Sequence, residues 1–237
     1  ASGTDSNRTY LIFKEPGFLS RDLTFGISLG SKKTNQQFSA YDSEITEFKP
    51  SLSFPLSRRS RLQFNYRYSD ETLTSKSSAL SPGISAQIGT KEINSVGYQY
   101  FLASKKDAID PNRSAYIRFS QDYSTSNSNF SHIRSTALVK QSRNILRDQV
   151  GVSAAFEFGH LSQIEGKSRV TDRFTTFSRQ MRGFKAAGIG PRDLYSTNKD
   201  PLGGQYFAVA RFESEFSVGL PEEYGMRAAI FLDAGSV

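Results

Sequence analysis

The segment Arg61-Leu62-Gln63-Phe64-Asn65-Tyr66-Arg67-Tyr68-Ser69 decides the fold. Apolar or aromatic residues occupy its even-numbered positions, and charged or polar residues occupy its odd-numbered positions. Successive side chains of a β-strand point to opposite faces, whereas a helix would repeat its apolar residues every three to four positions. The segment is therefore predicted to be a strand with one apolar face and one face in water.

Other segments repeat this alternation, most clearly residues 23–30 and 150–158. Further candidate strands are residues 8–14, 47–56, 93–102, 114–122, 130–140, 205–216 and 227–237. The total is about ten strands, bounded by turn-forming residues. No segment has the pattern of an amphipathic helix, so the sequence predicts an all-β fold.

Composition narrows the class of protein. The chain has 237 residues, a mean hydropathy of −0.47 and no Cys, which removes disulfides and thiolate metal sites. It lacks an apolar run of about 18 residues, but the strands of a membrane barrel are short and only half apolar. The net charge of +7 suits an acidic partner or anionic lipid. Its densest cluster, Arg58 to Arg61, lacks an aromatic stacking platform, so a solvated turn is favoured and no nucleic-acid partner is expected.

The connections between the predicted strands alternate in length. Residues 15–21, 57–60, 141–147 and 217–226 form short connections, and residues 31–46, 71–92 and 160–204 form longer polar ones. Short turns on one side and long loops on the other are typical of outer-membrane barrels. The predicted fold class is therefore a transmembrane antiparallel β-barrel, with apolar side chains facing lipid and polar ones facing the lumen.

The longest connection, residues 160–204, contains Met181-Arg182-Gly183-Phe184. By strand parity, Glu213 and Asp233 point to the wet face, which makes them the carboxylates best placed to receive Arg182. A guanidinium can bind carboxylates through a planar fork of donors. Gly183 would allow a sharp turn, and Phe184 would pack inside the lumen. The alternative is that Arg182 is a solvated loop residue and both acids are ordinary polar groups of the lumen.

Several motifs, in order along the chain, resemble those of the BamA family of outer-membrane protein assembly factors. Residues 181–184 are similar to its hydrophobic-Arg-Gly-Phe lid motif, and residues 189–191 to its Ile-Gly-Pro element. Glu15-Pro16 with Phe18-Leu19 and Arg21, Phe54-Pro55-Leu56 and Leu232 to Val237 resemble further family elements. The resemblance implies a lid loop at 160–204 and contacts of Arg182 with Glu213 and Asp233.

The same resemblance carries expectations for the whole protein. The family barrel has about 16 strands, so residues 1–237 are expected to be a partial barrel, without the terminal strands and the periplasmic POTRA repeats. The implied location is the bacterial outer membrane. The implied function is folding and insertion of outer-membrane proteins, with unfolded clients, assembly-machinery lipoproteins and outer-membrane lipids as partners and without cofactor or metal. The alternatives are a two-partner secretion transporter of the wider superfamily and a passive porin-like barrel.

A catalytic function is not expected. His132 follows Ser131 and His160 lies near Glu157, but neighbouring residues of a strand point to opposite faces. The sequence has two His, and they lack the spacing of a metal site.

Overall fold

The fold is described from a computed structural model of the chain. The structure describes residues 5–35, 41–76, 80, 82–104, 113–127, 130–146, 149–176, 180–194, 199–218 and 226–237. Each predicted strand segment forms a strand. The ten strands are β1 (Asp5–Pro16), β2 (Thr24–Asn35), β3 (Tyr41–Ser57), β4 (Ser60–Ser75), β5 (Gly89–Ser104), β6 (Arg113–Ser126), β7 (Phe130–Ile145), β8 (Val150–Glu165), β9 (Tyr206–Ser217) and β10 (Arg227–Ser236). A one-turn helix, α1 (Pro82–Ser85), precedes β5.

The strands form one antiparallel sheet in the order of the sequence, from β1 at one edge to β10 at the other. Directly paired residues of neighbouring strands lie on the same face of a sheet. Phe64 pairs with Leu52 and with Tyr98, whereas Asn65 pairs with Ser51 and with Gly97. The register therefore collects the apolar side chains on one face and the polar side chains on the other.

The apolar face is the uncovered one. Leu11 and Leu232 are 71% and 69% exposed, whereas Ser69, Ser95 and Ser124 are buried. A water-soluble sandwich would bury its leucines instead, because apolar surface leaves water on folding. The observed pattern is that of a membrane barrel wall, whose apolar face contacts lipid and whose polar face lines the lumen. The predicted fold class is confirmed.

The connections differ from the prediction on one side of the sheet. Residues 31–46 do not form a long loop, because β2 continues to Asn35 and β3 begins at Tyr41. Similarly, β4 continues to Ser75 and β5 begins at Gly89. Above the apolar belt both faces of a strand are wet, so the alternation that marks a strand disappears from the sequence. The tips at 36–40, 147–148 and 219–225 lie outside the described residues.

The lid loop spans residues 166–205, because β8 continues to Glu165. The loop folds back on itself. Two isolated β-bridges join its two halves, one between Phe174 and Gly204 and one between Arg192 and Pro201. Two parts of the loop, residues 166–176 and 180–190, contact different regions of the wall at Arg169 and at Arg182. They also share one apolar cluster, which contains Phe174 and Met181. Within the described residues, no helix has both the length and the apolar character needed to cross a membrane.

Candidate functional site

Arg182 of the lid loop binds two inward-facing carboxylates of the wall. Its Nε donates to Oδ2 of Asp233 at 2.8 Å, and its Nη2 donates to Oδ1 of the same carboxylate at 2.7 Å. Its Nη1 donates to Oε2 of Glu213, and its backbone N–H donates to Oδ2 of Asp233 at 3.0 Å. Two parallel bonds between a guanidinium and a carboxylate fix orientation as well as distance. The structure thus brings together the three residues that the sequence singled out.

The burial of Asp233 and the aromatic ring of Phe231 also favour the position of the Arg182 guanidinium. The side chain of Asp233 is 4% exposed, against 31% for Arg182 and 30% for Glu213. The guanidinium carbon of Arg182 lies 3.8 Å from the centre of the Phe231 ring, and Phe231 pairs with Glu213 in the β9–β10 register. The hydrogen bonds that Arg182 donates to Asp233 are the main cause that raises the pKa of Arg182, so the arginine stays cationic at every physiological pH. These four residues are the Arg182 anchor.

A second ion pair leaves Asp233 available to Arg182. Asp233 pairs in register with Arg211, which is a competing cation on the same face. Arg211 donates to Oε1 of Glu157, and Gln180 of the lid loop donates to Oε2 of the same carboxylate at 2.8 Å. Because Arg211 is paired with Glu157, Asp233 binds Arg182 of the lid loop instead of Arg211.

The other residues of the motif have different roles. Met181 is buried against Leu161 and Val209 of the wall. Gly183 has a left-handed backbone with φ of 84°, which suits a glycine. Phe184 is expected to pack inside the lumen; its side chain is 51% exposed, so the described residues leave half of it uncovered. The turn in which Phe184 N–H donates to the carbonyl of Met181 leads the chain away from the wall after Met181 has packed.

An apolar cluster on the wet face explains an imperfection in the sequence pattern. Phe207 and Val209 lie on the inward face of β9, where polar residues are expected. They are buried there with Phe174 and Met181 of the lid loop. A methyl group at Gly159 would lie 2.7 Å from the Phe174 ring and closer still to Phe207, so glycine makes room for both rings. In the sequence, the apolar residues at these two inward positions indicate that another part of the chain packs on this face of β9.

Arg169 fixes the first part of the lid loop, although no pattern in the sequence points to this residue. Its side chain is 1% exposed. Nη1 donates to the carbonyl of Glu71 at 3.0 Å, and Nη2 donates to those of Gln87 and Gly89 at 2.6 and 2.9 Å. Burial lowers the pKa of Arg169, while the charges of Glu71 and Asp172 oppose this shift. We call Arg169 and these three carbonyls the Arg169 anchor.

An apolar cluster accompanies this anchor too. Val170, next to Arg169, is buried with Tyr41, Leu73 and Ile84. Its backbone N–H donates to Oε1 of Gln87 at 2.8 Å. The connection between β4 and β5, including α1, therefore packs against the first part of the lid loop.

The residues considered for catalysis are not brought together. His132 is buried on the inward face and its ring lies 4.9 Å from that of Phe130. His160 stacks on Tyr206 with ring centres 4.5 Å apart, on the outward face, whereas Glu157 points inward to Arg211 and Gln180. Within the described residues, no group of three or more His, Asp or Glu could hold a metal ion.

An outward apolar wall with an inward loop held by an ion-paired arginine is the architecture of a transmembrane β-barrel of the outer-membrane type. Comparison with known proteins gives the family. The Omp85 superfamily domain matches residues 1–237, and the chain belongs to this superfamily. Its members are bacterial outer-membrane β-barrels that act as insertases or transporters.

Relatives and solved structures agree with this assignment. The chain is 25% identical over 217 residues to the outer membrane protein assembly factor BamA of Neorickettsia risticii (strain Illinois), covering 91% of this chain and 29% of that protein. The chain thus spans less than a third of this relative.

Two solved structures share the fold. The BamA structure from Haemophilus ducreyi lacking POTRA domains 1–3 matches with a TM-score of 0.79 and 14% identity, over 98% of this chain and 49% of that one. CdiB from Acinetobacter baumannii matches with a TM-score of 0.53 and 12% identity, over 97% of this chain and 40% of that one. At these identities the matches concern the fold alone.

Proposed function

We propose that the intact protein is the core component of an outer-membrane protein assembly machinery, and that Arg182, Glu213 and Asp233 hold its lid loop inside the barrel. The observation that carries the proposal is the bidentate contact of Arg182 with the inward Asp233, at 2.7 and 2.8 Å. The sequence similarity to a BamA protein over most of the chain supports the assembly function. Unfolded outer-membrane proteins are the proposed clients, and lipoproteins of the machinery are proposed partners.

The position of the lid loop favours insertion into the membrane over passage through the lumen. Phe174 of the loop lies under the guanidinium of Arg134, 4.4 Å from ring centre to carbon, and packs on Phe207. A polypeptide crossing the lumen has to displace these contacts. A client that instead adds a strand to a sheet edge uses the unpaired backbone groups of that edge and leaves the lid in place.

The test is the folding rate of a client barrel in liposomes that contain the intact protein. Arg182→Ala removes the fork and leaves Asp233 buried without its partner, so the rate is expected to fall. Arg182→Lys is expected to restore little, because an ammonium group cannot bind a carboxylate as a planar fork. Arg192→Ala is the matched control: Arg192 lies in the same loop but donates to the loop carbonyls of Ala187 and Lys199. A rate that is unchanged in both Arg182 variants contradicts the proposal.

The rival function is polypeptide secretion through the lumen, as in two-partner transporters, and a passive porin is more distant. A photo-cross-linker at Arg134 distinguishes them, because this residue faces the lumen beneath the lid. A translocating client trapped there favours secretion. Clients trapped at the edges of the barrel wall favour insertion, and a barrel that traps neither but conducts ions is a porin.

A further inference from the structure

Two arginines lie directly opposite each other on the outward face of the wall. They are near its turn end, the end at which β6 begins and β7 ends. Arg113 of β6 pairs in register with Arg143 of β7, and both are exposed. Directly opposite residues have Cβ atoms about 5 Å apart, and like charges at such positions are destabilising. An arrangement of this kind calls for an anion between the two guanidinium groups.

Their surroundings are apolar. On its other side Arg143 pairs with Val152 of β8, and the pair Ile117 and Val139 lies further along the same face. Ile145, two residues beyond Arg143, is exposed on this face. The arginines therefore lie at the margin of the apolar belt, where long side chains reach the headgroup layer while their stems remain against lipid.

The described wall supplies no carboxylate to this pair. The nearest acids of the flanking strand segments, Asp122 and Glu157, lie on the inward face. Neither Arg113 nor Arg143 forms a salt bridge within the part of the chain that the structure describes. Within the described residues, the strands around this pair thus provide no counter-anion on the outward face.

We propose that Arg113 and Arg143 bind the phosphate of an anionic phospholipid in the headgroup layer at the turn end. Two adjacent guanidinium groups offer two positive charges and several N–H donors to phosphate oxygens. The acyl chains of the same lipid would lie along Ile117 and Val139, which a free phosphate ion cannot do. This inference does not depend on the proposed assembly function, since it concerns the outward face only.

The test uses the intact protein in phosphatidylcholine bilayers with a trace of spin-labelled phosphatidylglycerol. The fraction of label immobilised at the protein gives the preference for the anionic lipid. A basic residue near a membrane surface contributes a factor of about five in affinity, so R113Q and R143Q are each expected to lower the preference by about that factor. R118Q is the matched control: Arg118 is an exposed residue of β6 that pairs with Leu138 on the inward face.

Four outcomes overturn the proposal. The first is an unchanged preference in the R113Q/R143Q double variant, and the second is an equal loss in R118Q. The third is that excess inorganic phosphate abolishes the preference, because the site would then take a free phosphate ion. R113K/R143K guards against a folding defect: it keeps both charges and is expected to keep most of the preference, and a loss as large as that of the glutamine pair also contradicts a phosphate site.

Discussion

Arg182 and Arg169 both fix the lid loop to the barrel wall, but they differ in what they bind and in how much water reaches them. Arg182 is nearly one third exposed and binds two carboxylates. Arg169 is fully buried and binds three backbone carbonyls. The first anchor depends on charge, which salt screens, and the second depends on hydrogen bonds to dipoles, which salt affects little. The lid loop is thus held by a salt-sensitive contact at Arg182 and by a salt-insensitive contact at Arg169.

The largest expected effect on the stability of the lid loop is that of replacing Arg169. Arg169→Ala leaves three carbonyls without this donor, that of the buried Glu71 and those of the less buried Gln87 and Gly89, at about 1 kcal/mol each or less. We expect residues 168–174 to lose about 2 to 3 kcal/mol of protection in hydrogen exchange of the intact protein. Residues 180–190 should lose much less, because their wall contacts are with β8, β9 and β10 and not with β4 or the start of β5. Equal loss in both segments would mean that the loop is held as one unit and that the comparison fails.

The two carboxylates of the Arg182 anchor should differ from each other. Asp233 accepts three hydrogen bonds from Arg182 and is almost fully buried, whereas Glu213 accepts one and is 30% exposed. Asp233→Asn is expected to cost residues 180–190 about 2 kcal/mol of exchange protection, after allowance for the exposed side of Arg182. Glu213→Gln should cost less than half of that. The reverse order would show that Glu213 is the main partner.

The apolar contacts between the two anchors can be tested at a glycine. Gly159→Ala places a methyl group within 2.7 Å of the Phe174 ring, so we expect a cost of about 1 to 2 kcal/mol and faster exchange in the first part of the loop. Gly151→Ala is the control on the same strand, because its nearest neighbour would be 3.6 Å away. If both variants behave alike, the effect belongs to β8 itself and not to the lid.

The smallest expected effect concerns the backbone of the motif. Gly183 has φ of 84° and open space around its Cα, so Gly183→Ala tests conformation alone. Left-handed backbone costs a residue with a Cβ about 1 kcal/mol, and this cost should appear only in residues 180–190. Gly83→Ala, also in open space but without a positive φ, should be neutral. An unaffected Gly183→Ala variant would show that the turn is not strained.

The sequence predicts one anchor and not the other for a physical reason. Arg182 binds side chains, and strand parity alone places Glu213 and Asp233 on the inward face. Arg169 binds carbonyls, which every residue has, so no residue type marks its partners. Only the folded connection between β4 and β5 brings the carbonyls of Gln87 and Gly89 to one point.

The same distinction holds for the strands. Their existence was predictable wherever one face meets lipid, because alternation follows from two unlike media. Their full length was not, because residues such as Lys33 and Glu44 lie where both faces are wet and form a salt bridge across β2 and β3. Phe207 and Val209 departed from the alternation because the lid, not water, covers them.

The most direct test of the two-anchor account is hydrogen exchange of the wild-type lid loop at low and at high salt. Exchange of residues 180–190 is expected to accelerate at high salt, because the partly exposed ion pairs of Arg182 are screened. Exchange of residues 168–174, which the buried Arg169 holds through carbonyls, is expected to change little. An equal response of both segments, or no response around Arg182, would contradict the two-anchor account.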